Sequence, residues 1–327
     1  IVSAIDDAVR ALVPARLAVH AGFVPLDEAI AWNRSVEAYN RNTDVEPLPW
    51  ARRDEAVDRV MTVLAAETVE GRPLGLVSWF ASHGTCLHHQ NRRLHPDHKG
   101  AAAQRLDAEA AAAGNPDFVS IFAQGAAGDV TPNHRWDAAR ALMVGRYERD
   151  EDSMAYVARI EARRAQSIAA TAHARGVVLE GGVDGAIVFT DFFGATVDAA
   201  YADGREGLRT APPRLGFAFA CGTLEGPGPL APIASIGPAL RTIQRAYAAR
   251  ASASDDAAWH AEKFPFLELG HGGKNKLVGL LEARSRIVGR VPDRFVRYIH
   301  DAIASTDAGM ASWTPRSLPS QVLRIGS

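Results

Sequence analysis

Residues 58–83, DRVMTVLAAETVEGRPLGLVSWFASH, predict a β-hairpin around which the rest of the fold is arranged. The runs DRVMTVLAAET and GLVSWFAS are rich in residues that favour strands, and the turn-rich link VEGRP joins them. The second strand is predicted to end at His83, where strand gives way to loop. The apolar residues SWFAS just before His83 imply that its backbone is anchored in a buried strand.

Helical and strand-like patterns alternate on both sides of this hairpin. Apolar residues at helical spacing, or an alanine-rich composition, predict helices, and short apolar runs predict strands. The predicted helices span residues 1–13, 99–114, 153–176, 239–250 and 294–304, and further strands are predicted at residues 17–24 and 117–124.

Two further segments complete the predicted fold. Residues 177–193, VVLEGGVDGAIVFTDFF, predict a second hairpin across GGVDG, and the Gly- and Pro-rich residues 212–232 predict an ordered loop. No repeat or low-complexity linker divides the chain. The pattern therefore predicts a single large domain of the α/β or α+β class, in which helices flank a mixed sheet that contains hairpins.

The composition narrows the classes of partner. The 327 residues are 47% hydrophobic, enough for a sizeable core, and carry a formal net charge of -2 with both signs interspersed, which argues against a nucleic-acid partner. The most apolar stretch, GAIVFTDFFGATVDAA, is broken by Asp191, so no transmembrane segment is predicted. Cys86 and Cys221 are the only two cysteines, which excludes a disulfide framework and leaves a single bridge open.

The segment ASHGTCLHHQNRRLHPDHKG has the composition of a metal-binding loop. Five of the chain's 11 histidines fall within 16 positions, at His83, His88, His89, His95 and His98. Imidazole binds Zn²⁺ well, but there is no HExxH motif, so spacing alone defines no site. Most of these histidines are expected to lie on the surface or to hydrogen bond within the loop. His83 is the best candidate ligand because of the buried strand before it.

The segment FAQGAAGDVTPNHRW, residues 122–136, places a hydroxyl beside a Gly-rich turn. Thr131 followed by Pro132 is typical of a helix N-cap, and a helix start of this kind also gathers backbone N–H groups that can hold a developing oxyanion. The two interpretations are compatible. His134 is a candidate base for Thr131 or a surface residue, and Asp129 either orients a ligand or stabilises the turn.

Several familiar signatures are missing from the sequence. There is no GxSxG elbow, no GxxxxGK[ST] loop and no GxGxxG after a strand. An α/β-hydrolase, a P-loop NTPase and a dinucleotide-dependent dehydrogenase therefore become less favoured.

Four segments, in order, resemble the catalytic domain of the neutral, non-lysosomal ceramidases. They are NRSVEAY from Asn33, the stretch from SWFASHGT to NRRLHPDHKG, GDVTPN, and LGFAFACGTLEGPG. The weaker matches WHAEKFPFLELG and WTPRSLPSQVLRIG extend the resemblance over residues 25–326. It implies a ceramidase-like catalytic domain over residues 1–327 that is incomplete at both termini and lacks a C-terminal immunoglobulin-like domain.

The resemblance implies a zinc amidohydrolase that cleaves ceramide or a related N-acyl lipid to a fatty acid and sphingosine. His83 then matches a zinc-binding histidine, Thr131 stands where the family has an essential serine in GDVSPN, and Arg34 matches a substrate-contacting arginine. No chemical role is assigned to Asp97, Lys99 or Gly100, which match the family's turn after the zinc histidine. The resemblance also implies a secreted or periplasmic protein that contacts lipid surfaces peripherally.

Other interpretations stay open beside this one. The family's further zinc ligands, a histidine before Ile1 and a Glu and a Tyr beyond Ser327, are expected outside this chain, which by itself is then inactive. The threonine at position 131 and Ala126, where relatives carry a polar residue, favour a noncatalytic lipid-binding descendant or an amidase for another acylated amine. A metal-free hydrolase that uses Thr131 with His134 is a third alternative.

Overall fold

The computed structural model describes residues 2–192, 194–202, 204–210, 214–216, 221–228, 231, 235, 242, 265–268 and 317–326. The predicted helix 294–304 lies outside these residues, as do all of helix 239–250 except Thr242 and much of the predicted loop 212–232. Contacts divide the chain into two compact units. The first contains residues 1–183, 224–226 and 324–327, and the second contains residues 184–223 and 227–323. A single domain over residues 1–327 stays a prediction.

The helices and strands alternate along the first unit. Its helices are α1 (Val2–Arg10), α2 (Val36–Tyr39), α3 (Asp97–Ala112) and α4 (Asp150–Arg175), with 3₁₀ turns at Leu26–Glu28 and Trp50–Arg52. Its strands are β1 (Ala15–Phe23), β2 (Trp32–Asn33), β3 (Val60–Thr68), β4 (Pro73–Phe80), β5 (Val119–Gln124), β6 (Val130–Thr131), β7 (Arg135–Asp137), β8 (Leu142–Val144) and β9 (Val177–Leu179).

A five-stranded sheet in the order β5-β4-β3-β1-β9 forms the centre of the first unit. The predicted hairpin is present, because β3 pairs antiparallel with β4 in a register that places Thr62 opposite Trp79. The strands β4 and β5 run parallel, and β1 runs antiparallel to both β3 and β9. The sheet is therefore mixed, and the predicted α/β class is confirmed.

Local patterns explain the core between the sheet and the helices α3 and α4. Along β3 the buried residues alternate, with Met61 and Val63 fully covered, because successive side chains of a strand point to opposite faces. On α4 the residues Val157, Ala165 and Ile168 share one buried face. Each large aliphatic side chain buried in this way contributes about 1.5–3 kcal/mol.

The second unit contributes β10 (Val183–Asp191), a 3₁₀ turn at Ala199–Tyr201, β11 (Arg214–Gly216), β12 (Gly222–Thr223), β13 (Gly226–Pro227), β14 (Pro265–Glu268) and β15 (Ser317–Ile325). Some of these strands extend to residues of the first unit. The strand β10 pairs with β15, β11 with β14 and β12 with β13.

The predicted hairpin over residues 177–193 is wrong. Both of its strands exist, but β9 joins the edge of the central sheet with Leu179 opposite Leu17, and β10 pairs with β15. By pairing with β1, β9 becomes part of a five-stranded sheet. A separate two-stranded hairpin would be only marginally stable in water.

Other sequence predictions have clear outcomes. The helix predicted at residues 1–13 is shorter, α1, and its apolar residues Val2, Ile5 and Val9 are exposed. Cys86 and Cys221 are both free thiols, so they form no bridge. Among the described residues, every helix falls short of the length or hydrophobicity that a bilayer crossing requires.

Candidate functional site

A short pair of strands, β2 and β6, carries the polar residues that the sequence analysis singled out. Trp32 lies opposite Thr131 and Asn33 lies opposite Val130. The backbone N–H of Arg34 extends the pairing by donating to the carbonyl of Asp129 at 2.8 Å. Arg34 and Thr131, from distant parts of the sequence, are therefore neighbours.

Asp129 holds this strand pair together. Its carboxylate accepts a hydrogen bond from the side-chain amide of Asn33 at 2.7 Å, and the same amide donates to the carbonyl of Ala56 at 3.0 Å. Asn33 is fully buried, so its amide needs such partners. The Asp129 carboxylate thus links the segment before β6 to β2, and its role toward a ligand stays a prediction.

Thr131 is not a helix N-cap, which corrects the prediction. It lies in the strand β6, and no helix follows it before β7. Its side chain is only 2% exposed, and its hydroxyl donates to Oε1 of Glu225 while accepting from the backbone N–H of Asn133 at 3.1 Å. The hydroxyl of Thr85 lies 3.4 Å away. The local Thr-Pro signal is overridden by pairing with β2, which burial of both strands favours.

His83 lies three residues beyond the end of β4, and its backbone N–H donates to the carbonyl of Val130 at 3.2 Å. This bond ties the loop after β4 to β6. Burial lowers the pKa of His83, and the adjacent Arg34 guanidinium lowers it further, against smaller opposing effects from Glu225 and Asp129. The imidazole is therefore neutral at pH 7, the form that binds metal ions.

Arg34 links the two strands to His83. Its Nη2 donates to the carbonyl of Gly128 at 3.0 Å and lies 3.5 Å from Nε2 of His83. The structure thus brings Arg34, His83 and Thr131 together around β6 and the loop after β4.

His134 does not act on Thr131 in this structure. Its ring stacks on Trp32 with centroids 4.0 Å apart, and burial lowers its pKa. Within the described part of the chain, no hydrogen bond joins His134 to the hydroxyl of Thr131.

Three of the four remaining histidines of the loop, His88, His95 and His98, lie within hydrogen-bond distance of other protein groups. His98 is fully buried between Oε2 of Glu161 and the carbonyl of His83, each 2.9 Å from a ring nitrogen. His88 is buried between the Asp150 carboxylate and a backbone carbonyl. The exposed residues His89 and His95 complete the set, and His95 accepts a hydrogen bond from the backbone of Asp97 at 2.9 Å.

The first turn of α3, which contains Asp97, Lys99 and Gly100, supports the loop that carries His83. The Asp97 carboxylate accepts from the backbone N–H groups of Cys86, Leu87 and His98, at 3.3, 2.9 and 2.7 Å. These three bonds hold Asp97 at a φ of 52°, a conformation that Asp tolerates better than most residues.

Lys99 reinforces the same turn from inside the protein. Its ammonium group donates to the carbonyl of Phe80 at 3.0 Å and lies 3.6 Å from Glu161. The residues that the sequence left without a role are therefore the ones that fix the strand end and the loop next to His83.

The groups Cys86, Asp97 and His98 lie close enough to hold a metal ion, with one ligand atom of each within 4.8 Å of the others. Their lone pairs are already engaged, because Asp97 accepts three backbone hydrogen bonds and His98 faces a carboxylate and a carbonyl. Burial, reinforced by Asp97, raises the pKa of the Cys86 thiol well above its usual range. These three residues therefore do not fit a resident metal ion.

Glu225 and Asn133 are members of the site that the sequence analysis missed. The side-chain amide of Asn133 donates to Oε2 of Glu225 at 2.5 Å and to the carbonyl of Thr85 at 2.7 Å. A carboxylate inside the Gly-rich segment GTLEGPG was a visible signal, because an acidic residue in an ordered loop is a common site residue. Its partners were not visible, since they lie more than 90 residues earlier.

Imidazole, hydroxyl, carboxylate and guanidinium groups therefore lie close together around β6 and the loop after β4. The chain belongs to the neutral/alkaline non-lysosomal ceramidase family, whose N-terminal domain model matches residues 1–277.

Two curated relatives show the extent of the similarity. The chain is 27% identical over 248 residues to neutral ceramidase A of Dictyostelium discoideum, covering 68% of this chain and 34% of that protein. It is 29% identical over 200 residues to the neutral ceramidase of Mycobacterium tuberculosis, covering 60% of this chain and 30% of that protein. The chain thus spans about a third of the length of these relatives.

Solved structures share the fold. The crystal structure of neutral ceramidase from Pseudomonas aeruginosa matches with a TM-score of 0.63 and 23% identity, over 100% of this chain and 41% of that one. A ceramidase complexed with C2 matches with a TM-score of 0.65 and 24% identity, over 98% of this chain and 42% of that one.

Proposed function

We propose that this chain supplies part of the active site of a zinc-dependent amidohydrolase that cleaves ceramide or a related N-acyl sphingoid base to a fatty acid and sphingosine. The observation that carries the proposal is the meeting of Arg34, His83 and Thr131 around β6. Family membership supports it, since the relatives are named neutral ceramidases.

The chemistry of amide hydrolysis accounts for these residue types. An amide is a poor electrophile with a poor leaving group, so a catalyst polarises its carbonyl and stabilises the charge that develops. Arg34 retains N–H donors beyond its bond to Gly128, and these donors suit a hydroxyl or carbonyl of the substrate. Thr131 contributes a hydroxyl held in a fixed direction by Glu225 and Asn133, which suits it to orient the substrate.

His83 fits the role of one zinc ligand. It is neutral at pH 7, and its backbone is tied to β6. A bound Zn²⁺ supplies Lewis acidity toward the amide carbonyl. The nearby Arg34 guanidinium lies 3.5 Å from Nε2 and has to move away when a cation binds there. The other ligands would come from residues beyond those that the structure describes.

The test uses the complete protein that carries this chain and measures two quantities, zinc content and hydrolysis of N-acetylsphingosine. Replacing His83 by Ala is expected to lower both, because one imidazole ligand is lost. His89→Ala is the matched control, since His89 is an exposed histidine of the same loop.

Other results would separate the alternatives. Zinc content and hydrolysis that both survive His83→Ala would reject the proposal. Zinc binding without hydrolysis of any N-acyl sphingoid base would favour a noncatalytic descendant. Hydrolysis confined to other acylated amines would show that the substrate is one of those amines and not a sphingoid lipid. Activity that survives a strong chelator would favour the metal-free alternative.

We also propose a secreted or periplasmic protein that meets its lipid substrate at a membrane surface and so takes part in sphingolipid metabolism. This proposal is supported by the resemblance to the ceramidase family, because ceramide is a lipid. Fractionation of the source cells, with the protein followed by antibody, would contradict this location if the protein were retained in the cytoplasm.

A further inference from the structure

The hydroxyl of Thr131 and the carboxylate of Glu225 form one hydrogen-bonded unit. The hydroxyl donates to Oε1, and the amide of Asn133 donates to Oε2 at 2.5 Å. The same amide also donates to the carbonyl of Thr85 at 2.7 Å, which fixes which end of Asn133 faces Glu225. Each carboxylate oxygen thus accepts from a donor of the segment GDVTPN.

The partners of Thr131 determine how its hydroxyl can meet a substrate. A hydroxyl has one hydrogen to donate and two positions at which it accepts. The hydrogen points to Glu225, and one accepting position is taken by the backbone N–H of Asn133 at 3.1 Å. The second position is only loosely engaged, with the hydroxyl of Thr85 at 3.4 Å. While the bond to Glu225 stands, the Thr131 oxygen can accept from a substrate and cannot donate to it.

We propose that Glu225 is the positioning residue for Thr131, holding the hydroxyl hydrogen so that the Thr131 oxygen meets the substrate as a hydrogen-bond acceptor. This inference rests on the proposed function. The matching group on the substrate is then a donor, and an N-acyl sphingoid base offers two kinds, the amide N–H and its hydroxyls. No bond is made or broken in this step.

The chemistry of the pair explains why a carboxylate suits the task. Hydrogen bonds to an ionised acceptor are roughly twice as strong as neutral ones, so the hydroxyl hydrogen stays with Glu225. The methyl group of threonine further restricts rotation about χ1. Glu225 is partly exposed as a residue, whereas Thr131 is 2% exposed.

The test is a double-mutant cycle in the complete protein, with N-acetylsphingosine as the substrate. Glu225→Gln keeps the size of the side chain but presents an NH₂ group to one of two donors, so it cannot serve both Thr131 and Asn133. Glu225→Gln and Thr131→Ala are each expected to lower kcat/KM by about tenfold or more. The double variant is expected to lose less than the sum of the two single losses, because part of the effect of Glu225→Gln is exerted through the Thr131 hydroxyl.

Two further variants separate positioning from a general structural effect. Thr131→Ser retains the hydroxyl, so adding Glu225→Gln to it should cost as much as in the wild type. Glu109→Gln is the matched control, since Glu109 lies exposed on α3 and its replacement should leave kcat/KM unchanged. Thermal unfolding of each variant shows that it is folded.

The proposal would be overturned if the losses in kcat/KM of the two single variants simply added in the double variant. It would also be overturned if Glu225→Gln left kcat/KM unchanged. The dissociation constant of N-acetylsphingosine is measured for the same variants. If the wild type binds this lipid without cleaving it, the proposed function fails. The role of Glu225 is then decided by whether the effects of the two substitutions on the dissociation constant are coupled or additive. If the wild type neither binds nor cleaves it, both proposals are rejected.

Discussion

His98 and Glu161 form an ion pair that is completely closed to solvent, with Nδ1 of the imidazole 2.9 Å from Oε2 of the carboxylate. The second ring nitrogen of His98 lies 2.9 Å from the carbonyl of His83 and must donate to it. A histidine that donates from both nitrogens is an imidazolium. The buried charge pair therefore stands directly behind the candidate metal ligand and holds its backbone in place.

Replacing Glu161 by Ala should be among the most damaging single changes in the first unit. It leaves the imidazolium of His98 and the ammonium of Lys99 without their shared carboxylate, at a site that is 0% exposed. Removing one partner of a buried pair costs about 3–5 kcal/mol. Urea unfolding measures the loss. Glu109→Ala, at an exposed surface pair, should change the free energy of unfolding by less than about 0.5 kcal/mol, and similar losses for the two variants would contradict the prediction.

The same pair predicts how stability depends on pH. Burial by itself lowers the pKa of His98, but the attraction and hydrogen bond of Glu161 outweigh it and raise that pKa above 6.5. Burial by itself raises the pKa of Glu161, but the charge of His98 outweighs this effect, so the pKa of Glu161 lies below 4.5. The contribution of His98 to the free energy of unfolding is full below pH 6.5 and is lost as the pH rises through its raised pKa. The contribution of Glu161 is present above pH 4.5 and is lost as the pH falls through its lowered pKa.

Urea unfolding of the wild type and of Glu161→Gln over about pH 4 to 9 tests this dependence. Gln keeps the shape and can still hydrogen bond to neutral His98, but it removes the charge. The difference in free energy of unfolding should be largest between pH 4.5 and 6.5 and should narrow as the pH rises further. Parallel curves for the two proteins would show that His98 is not charged in the fold.

Gly100 should not tolerate alanine, although it lies in the helix α3. Alanine normally stabilises a helix by about 0.8–1.0 kcal/mol relative to glycine. Here a Cβ would lie 2.1 Å from Cγ of Pro96, a rigid ring in the turn before the helix. Overpacking of this kind costs about 1–3 kcal/mol, so the net effect should be destabilising. Thermal unfolding measures it against Gly182→Ala, where nothing lies within 4 Å of the added Cβ. A rise in Tm for Gly100→Ala would refute the steric argument.

Arg34→Gln should affect substrate and metal in opposite directions. Losing hydrogen bonds from a charged donor costs about 1.5–3 kcal/mol, so KM for N-acetylsphingosine should rise by about tenfold or more. Removing a positive charge 3.5 Å from Nε2 of His83 should tighten zinc binding. Steady-state kinetics and zinc titration measure the two effects, with exposed Arg41→Gln as the control. Weaker zinc binding in Arg34→Gln would show that Arg34 supports the metal site and does not compete with it.

Local patterns predicted much of the framework. The strands β3 and β4 and the helices α3 and α4 follow from periodicity and composition, because side chains within one element decide which face it buries. The second strand of the β3–β4 hairpin was predicted to end at His83, but β4 ends at Phe80, so His83 lies three residues into the following loop. The order of the motifs was sufficient to indicate the family, which the match over residues 1–277 confirms.

The errors arose where distant segments compete for a partner. A Thr-Pro pair has a local preference to begin a helix, yet Thr131 pairs with Trp32 and lies in a strand. Residues 177–193 have the composition of a hairpin, yet β9 pairs with β1. Hydrogen bonding to another part of the chain outweighed the local preference in both cases, and such pairings leave no period in the sequence.

The sequence by itself determined the residue types of the site and the elements that carry them, because those depend on composition and local spacing. Only the tertiary structure decided which groups meet: Glu225 with a hydroxyl 94 residues earlier, and His98 with Glu161 across 63 residues. Buried polar groups must find partners wherever the folded chain places them, so those partners are set by the packing of the whole unit.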